Sequence, residues 1–216
     1  MPRKASKAVA RGGRPSRADA LRLRDRILDA GTELFFAEGY GSTSIEAVAN
    51  VAGISKRTFY DRFEDKAALF AAVVHRIIER IRPPPEVPLL EGTSLAHILH
   101  RLALLILRAA LAPQALALHR LVNAESARFP ELVRAVASDG STHEATSLIG
   151  DLLARELPAL RLADENREFA AAQFIFMVVT VPQRRAIGYG TPMTAAELDA
   201  WAAKVVHLFL NGCRGL

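Results

Sequence analysis

Residues 43–63 read TSIEAVANVAGISKRTFYDRF, and their spacing decides the fold. Thr43-Ser-Ile-Glu46 has the form of a capping box, in which a hydroxyl takes up an orphan N–H of the first helical turn and a carboxylate reaches back. Ile45, Val48 and Ala49 give the short helix that follows an apolar face, Gly53 breaks it, and Ser55 can cap another at once. The spacing predicts a helix over 44–51, a tight turn at Ala52-Gly53-Ile54 and a helix over 55–61, which together make a helix-turn-helix. The second helix carries Ser55, Lys56, Arg57, Thr58 and Tyr60 on a polar side and Ile54, Phe59 and Phe63 on an apolar back. Such a helix can lay its polar side in a DNA major groove while its back holds it on a scaffold.

Upstream, Leu23, Ile27, Ala30 and Leu34 recur at helical spacing behind an N-cap signal at Ser16–Asp19, and Gly39 closes the run, predicting a helix over 19–38. Residues 1–18 hold Arg3, Lys4, Lys7, Arg11, Arg14 and Arg17, no acid, and Gly12, Gly13 and Pro15, the composition of an extended basic arm. Downstream, Phe63-Glu-Asp65-Lys66 opens a helix over 65–82 with Leu69, Val73, Ile77 and Ile81 on one stripe, stopped by Pro83-Pro84-Pro85 and Pro88.

Beyond those prolines helical periods return, predicting helices over 93–111, 113–127, from Pro130, 141–156, 164–187 with Pro182 as a kink, and a last one. Thr194-Ala-Ala-Glu197 is a second capping box, opening the last helix, with Leu198, Trp201, Val205, Leu208 and Phe209 on one stripe and Gly212 as its end. The expected fold is all-α, divided into the arm (1–18), a helix-turn-helix domain (19–66) and a larger helical domain (67–216).

Met1 to Lys66 holds 13 Lys and Arg against 9 Asp and Glu, so nearly all of the net +5 sits in the first third. Positive charge gathered at one end favours a polyanionic partner there, because neutralising phosphates releases counterions; a tail that only aids solubility has the same composition. The single cysteine, Cys213, excludes an internal disulfide and a cysteine zinc site. No apolar run reaches the roughly 18 residues of a spanning helix, and the basic start lacks the apolar core of a secretory signal, so no membrane partner and a cytoplasmic location are expected. No G-x-S-x-G elbow, H-E-x-x-H, P-loop or dinucleotide fingerprint occurs, and no enzymatic role or cofactor is expected.

Ile27-Leu-Asp-Ala through Phe35, Gly39-Tyr-Gly-Ser-Thr43-Ser-Ile, Val51-Ala-Gly-Ile-Ser-Lys-Arg-Thr-Phe-Tyr60-Asp-Arg-Phe63 and Asp65-Lys66-Ala-Ala-Leu69 together resemble the DNA-binding domain of the TetR family. The likeness covers roughly residues 20–75 in one register. It implies a regulator that binds a double-stranded DNA operator as a homodimer, most often as a repressor. Thr43 and Ser44, at a helix start, would then donate to a phosphate. Lys56 or Arg57 would pair with guanine in the major groove. By the same resemblance Tyr60 contacts a phosphate and Lys66 clamps the DNA backbone. The competing reading is half-buried packing for Tyr60 and a solvated face for Lys56, Arg57 and Lys66. Arg57 stands where many family members have a small residue such as Gly. The basic arm suits either an adjacent minor groove or a loose electrostatic tether.

The segment Leu118-His-Arg-Leu-Val-Asn-Ala-Glu-Ser-Ala-Arg-Phe-Pro-Glu-Leu132 is similar to the C-terminal domain of AefR-like regulators. That likeness implies a dimerising body that often takes a small-molecule effector. Candidate lining residues are Leu102, Leu105, Leu121, Val122, Phe174, Met177 and Val178, with His119, Asn123 and Gln173 to orient a ligand; ordinary packing competes for each. Phe169-Ala-Ala-Ala-Gln-Phe174 and the 198–209 stripe are the dimerisation candidates, with filling of the monomer core as the alternative. His97 and His100 stand three apart, the spacing of a metal pair, without a third ligand to accompany them, and no metal is expected. A sequence-independent architectural DNA binder is the rival functional class.

Overall fold

A computed structural model describes residues 17–84, 89–90, 92–158 and 163–213. The basic arm up to Ser16, Pro85 and Pro88 of the joint, and the side chain of Cys213 lie outside the described residues. Ten α-helices and no strand make up that part: α1 (Arg17–Glu38), α2 (Ile45–Val51), α3 (Lys56–Tyr60), α4 (Lys66–Ile81), α5 (Leu95–Ala110), α6 (Pro113–Glu125), α7 (Glu131–Ala137), α8 (Ser141–Glu156), α9 (Asp164–Arg184) and α10 (Ala195–Cys213). A π-helical turn, Arg185–Tyr189, extends α9.

The first core joins the head to part of the body. Ile27, Leu28 and Phe35 of α1 and Leu69, Phe70, Val73 and Val74 of α4 are essentially without solvent contact. Gly31 allows α1 and α4 to cross closely, since a Cβ there would stand 3.0 Å from a Leu69 methyl carbon. Arg76 of α4 fastens the same pair by donating to Asp29 Oδ1 (2.8 Å) and Thr32 Oγ1 (2.9 Å) on α1. Leu118 and Leu121 of α6 and Leu132 and Ala135 of α7 complete this core, so it reaches well past residue 66. The second core is built from α5, α8, α9 and α10, around Leu99, Leu153, Phe174 and Phe209.

Helix ends follow local chemistry, with two departures from expectation. Ser44, not Thr43, caps α2, its hydroxyl accepting from Ala47 N at 3.0 Å. The box shifts because Thr43 is buried and donates instead to the Gly39 carbonyl (2.7 Å). Counted from Ser44 the third residue is Ala47, so no carboxylate reaches back and Glu46 is left for another partner. The second box does form: Thr194 N donates to Glu197 Oε2 (2.7 Å) and Glu197 N to Thr194 Oγ1 (3.3 Å), which lowers the Glu197 carboxyl pKa. Finally, α10 continues through Gly212 to Cys213 rather than stopping at the glycine.

Pro182 has a consequence for packing. It lacks the N–H that would donate to the carbonyl four residues back. That carbonyl, Val178 O, accepts instead from the Trp201 indole of α10 at 3.0 Å. Trp201 therefore packs inward and ties α10 to α9, rather than facing a partner as the sequence stripe allows.

No single helix among the described residues is long and apolar enough to cross a membrane. The bent pair of α5 and α6 passes on length and composition taken together, but the two meet at 66° and feed different cores.

Candidate nucleic-acid interface

The helix-turn-helix takes its expected form. Gly53 provides the left-handed residue of the turn (φ +65°). Ser55 caps α3, accepting from Thr58 N (3.1 Å) and sharing a hydrogen bond with the Thr58 hydroxyl (2.9 Å). Phe59 is fully buried and Phe63 nearly so, which pins the short α3 to the first core and turns its other side outward. On that outer side Ser44, Ser55, Lys56, Arg57 and Tyr60 are exposed, while Thr58 is half-buried beneath its cap. Tyr60 leans edge-on against Phe59 with centroids 5.6 Å apart, yet over half of it (54%) remains in solvent. The ring is thus both packed and available.

Two candidate residues do not point outward. Thr43 is buried with its hydroxyl engaged on Gly39, so that hydroxyl is not presented to a phosphate. Lys66 turns its ammonium inward, donating to the carbonyls of Tyr40 (2.8 Å) and Thr43 (3.0 Å) and sitting 4.3 Å from the centre of the Tyr40 ring. Burial lowers its pKa, against the opposing pull of Glu125 and Glu131. With two of its three protons engaged inside, Lys66 ties α4 to the α1–α2 turn.

Sequence reasoning missed Glu46. Released from the capping box, its carboxylate pairs with Lys56 across the turn, and both side chains are at least half exposed. The pairing spans ten residues, a distance that neither helical nor strand period marks; only recognition of Ser44 as the cap exposes it.

The expected effector lining is divided. Leu102 and Phe174 are buried in the second core, Phe174 with its ring 5.0 Å from that of Phe209, and Met177 packs beside them. Val122 packs on the first core, Leu105 is half-buried, and Asn123 and Gln173 are exposed. His119 is half-buried and its Nε2 accepts from the Asn123 amide at 2.9 Å; burial lowers its pKa and favours the neutral ring. His97 and His100 lie along an open groove between α5 and α10, His100 facing Asp199 at 3.3 Å. Among the described residues no group of three or more His, Cys, Asp and Glu could hold a metal.

The dimerisation candidates are sorted as well. Ala170, Ala171, Phe174 and Phe209 are core, whereas Phe169 (59%), Phe176 (63%) and Leu208 (63%) are largely exposed on α9 and α10.

Known proteins agree with this architecture. Residues 27–73 match the family described as bacterial regulatory proteins, tetR family, and residues 97–212 the AefR-like transcriptional repressor, C-terminal domain. The HTH-type transcriptional repressor ComR of Escherichia coli (strain K12) is 36% identical over 77 residues, 36% of this chain and 35% of its own length. The match thus spans about a third of that curated relative. A crystal structure of a TetR-family regulator from Mesorhizobium loti MAFF303099 superposes with TM-score 0.69 at 28% identity, covering 92% of this chain and 98% of its own. The flavonoid-responsive regulator FrrA gives TM-score 0.74 at 26% identity, covering 88% and 96%.

Proposed function

Because the chain belongs to the TetR family of bacterial transcriptional regulators, we propose that it represses transcription by binding a pseudo-palindromic operator as a homodimer, and that a small hydrophobic ligand releases it. The observation that carries this reading is the α3 surface: Ser55, Lys56, Arg57 and Tyr60 are exposed over a fully buried Phe59. A donor-rich face on an immobilised helix is what base and phosphate recognition requires. Ser44, Ser55, Thr58 and Tyr60 take phosphates, Lys56 and Arg57 take base edges or phosphates, and Thr43 and Lys66 act from inside by shaping the turn before α2. A two-fold dimer would set two such helices about 34–36 Å apart, one turn of DNA.

Effector binding belongs to the body. A ligand entering among α5, α6 and α9 has to displace packed side chains such as Leu102 and Phe174, so it selects an opened conformer. Release follows only if that conformer binds DNA less well. Apolar aromatic compounds are the first class to try, given that FrrA is flavonoid-responsive.

Selection of bound duplexes from a random pool tests the function directly. An enriched pseudo-palindrome is expected; a folded protein that enriches nothing would instead be an architectural binder. With the selected duplex in hand, Arg57→Ala is expected to relax preference at one base step by about 1–3 kcal/mol. A uniform loss over all sequences in competition binding would assign Arg57 to a phosphate.

Glu46 gives a second expected result. A carboxylate on the reading surface repels phosphate, and its exposed pair with Lys56 is worth at most about 1 kcal/mol, so DNA can take Lys56 over. Glu46→Gln should raise affinity for random duplex roughly three- to tenfold. Affinity for the selected duplex should rise less, narrowing the ratio. Titrations with both duplexes at one salt concentration read this; an unchanged ratio means Glu46 does not bear on discrimination.

A further inference from the structure

The turn that leads into the helix-turn-helix is held by a side chain of the body. Glu125, the last residue of α6, receives Tyr40 N on Oε1 and Gly41 N on Oε2, both at 2.7 Å. Each oxygen takes one backbone donor, the short two-pronged geometry of a charge-assisted pair. The approach is close on both sides of Tyr40, so that a side chain at either neighbour would have to push the grip aside. At Gly39 (φ +87°) a Cβ would fall 2.5 Å from Glu125 Oε1, and at Gly41 it would fall 2.9 Å from the Phe129 ring.

Tyr40 itself is the plug of the joint. It is buried against Phe35, Phe70 and Phe129, with centroids 5.1–5.5 Å away, and its phenol donates to Glu131 Oε1 at 3.1 Å. Burial, then that hydrogen bond, pushes the phenol pKa well above its ordinary value, so it stays a donor. Lys66 takes the Tyr40 and Thr43 carbonyls from the other side. The N–H groups of residues 40 and 41 thus face α6, while the carbonyls of 40 and 43 face α4. Ser44, the cap of α2, follows immediately.

Glu125 also sits where its charge is unfavourable for its own helix. An acid in the last turn meets the negative end of the α6 dipole. A lysine there would serve α6 better, so the carboxylate is explained by what it holds 84 and 85 residues away.

We infer that Glu125 is a positioning residue for DNA recognition: by gripping the Tyr40 and Gly41 amides it fixes the α1–α2 turn, and through it the orientation of the reading helix relative to the body. The inference rests on the DNA-binding reading above. It makes α6 a direct connection to the head, separate from the packing along α4.

The test compares full-length wild type with Glu125→Gln. The amide keeps the shape but can accept only one of the two N–H groups and sets its own NH2 against the other. Affinity for the selected duplex is expected to fall about tenfold, or 1.4 kcal/mol. Affinity for random duplex, which needs little register, should hold. Hydrogen exchange should accelerate at the Tyr40 and Gly41 amides, with dimer mass and helical content retained. General destabilisation would lower binding to both duplexes together, so the ratio separates positioning from folding. Should Glu125→Gln fail to fold, Glu125→Asp keeps the charge but falls one methylene short of holding both amides, and the same loss of ratio is expected. Unchanged ratio with unchanged exchange overturns the inference. Wild-type protein that prefers no sequence overturns the reading beneath it, a different and recognisable result.

Discussion

Phe176→Glu is expected to leave a folded monomer whose affinity for a two-half-site duplex has dropped by two or more orders of magnitude. Phe176 and Phe169 stand seven residues apart, two turns along one side of α9, and both are largely exposed, as is Leu208 on α10. Burying each side chain of this kind is worth about 1.5–3 kcal/mol. In a two-fold interface every residue counts twice, so one substitution removes two rings. The glutamate also brings charge to a surface that must be desolvated, at a cost of several kcal/mol per ion. Because Phe176 lies outside both cores, the monomer itself should keep its helical content and cooperative unfolding. Sedimentation at micromolar concentration reads the mass, and titration with one- and two-half-site duplexes reads the consequence for DNA. A variant that remains dimeric would place the interface elsewhere.

Lys66→Ala should have the second largest effect, and on two properties. Truncation abandons the Tyr40 and Thr43 carbonyls and withdraws a cation 4.3 Å from the Tyr40 ring. Two charge-assisted hydrogen bonds and a partly buried cation–π contact together suggest a loss of about 2–4 kcal/mol. For a chain of this size that is a drop of roughly 5–12 °C in melting temperature. Affinity for the selected duplex should fall well beyond that for random duplex, since the turn feeding α2 loses its α4-side support. The salt dependence distinguishes the routes. A lysine that neutralises a phosphate contributes close to one unit of slope in log K against log salt. Lys66, engaged inside, should leave the slope unchanged; a slope shallower by about one would return it to the DNA backbone.

Much of the fold was legible because its signals are local. The capped, glycine-broken pattern of 43–63, the stripe Leu69–Val73–Ile77 and the Thr194–Glu197 box each depend on residues within a few positions of one another. Their elements formed, with α8 at its expected bounds and α4 within one residue at each end. The errors are of another kind. Thr43 and Ser44 are both good caps, and what chose Ser44 was the Gly39 carbonyl waiting for the Thr43 hydroxyl inside the turn. Lys66 reads as an exposed cation at the start of a helix, yet two backbone carbonyls and an aromatic ring take it inward.

The sequence by itself determined the helices, the helix-turn-helix, the outward face of α3 and the resemblance to a family, because hydrophobic period, caps and breakers act within one or two turns of chain. Only the tertiary structure decided which apolar residues of α9 and α10 are core and which are exposed, since Phe169 and Phe174, or Leu208 and Phe209, have the same chemistry and differ in what packs against them. It alone brought Glu125 to Tyr40 and Gly41, and Trp201 to the carbonyl that Pro182 leaves free. Those contacts link residues up to 85 positions apart, or depend on a donor that one helix lacks and its neighbour supplies. No local pattern encodes them; they exist because packing brings a donor and an acceptor from distant parts of the chain within reach of one another.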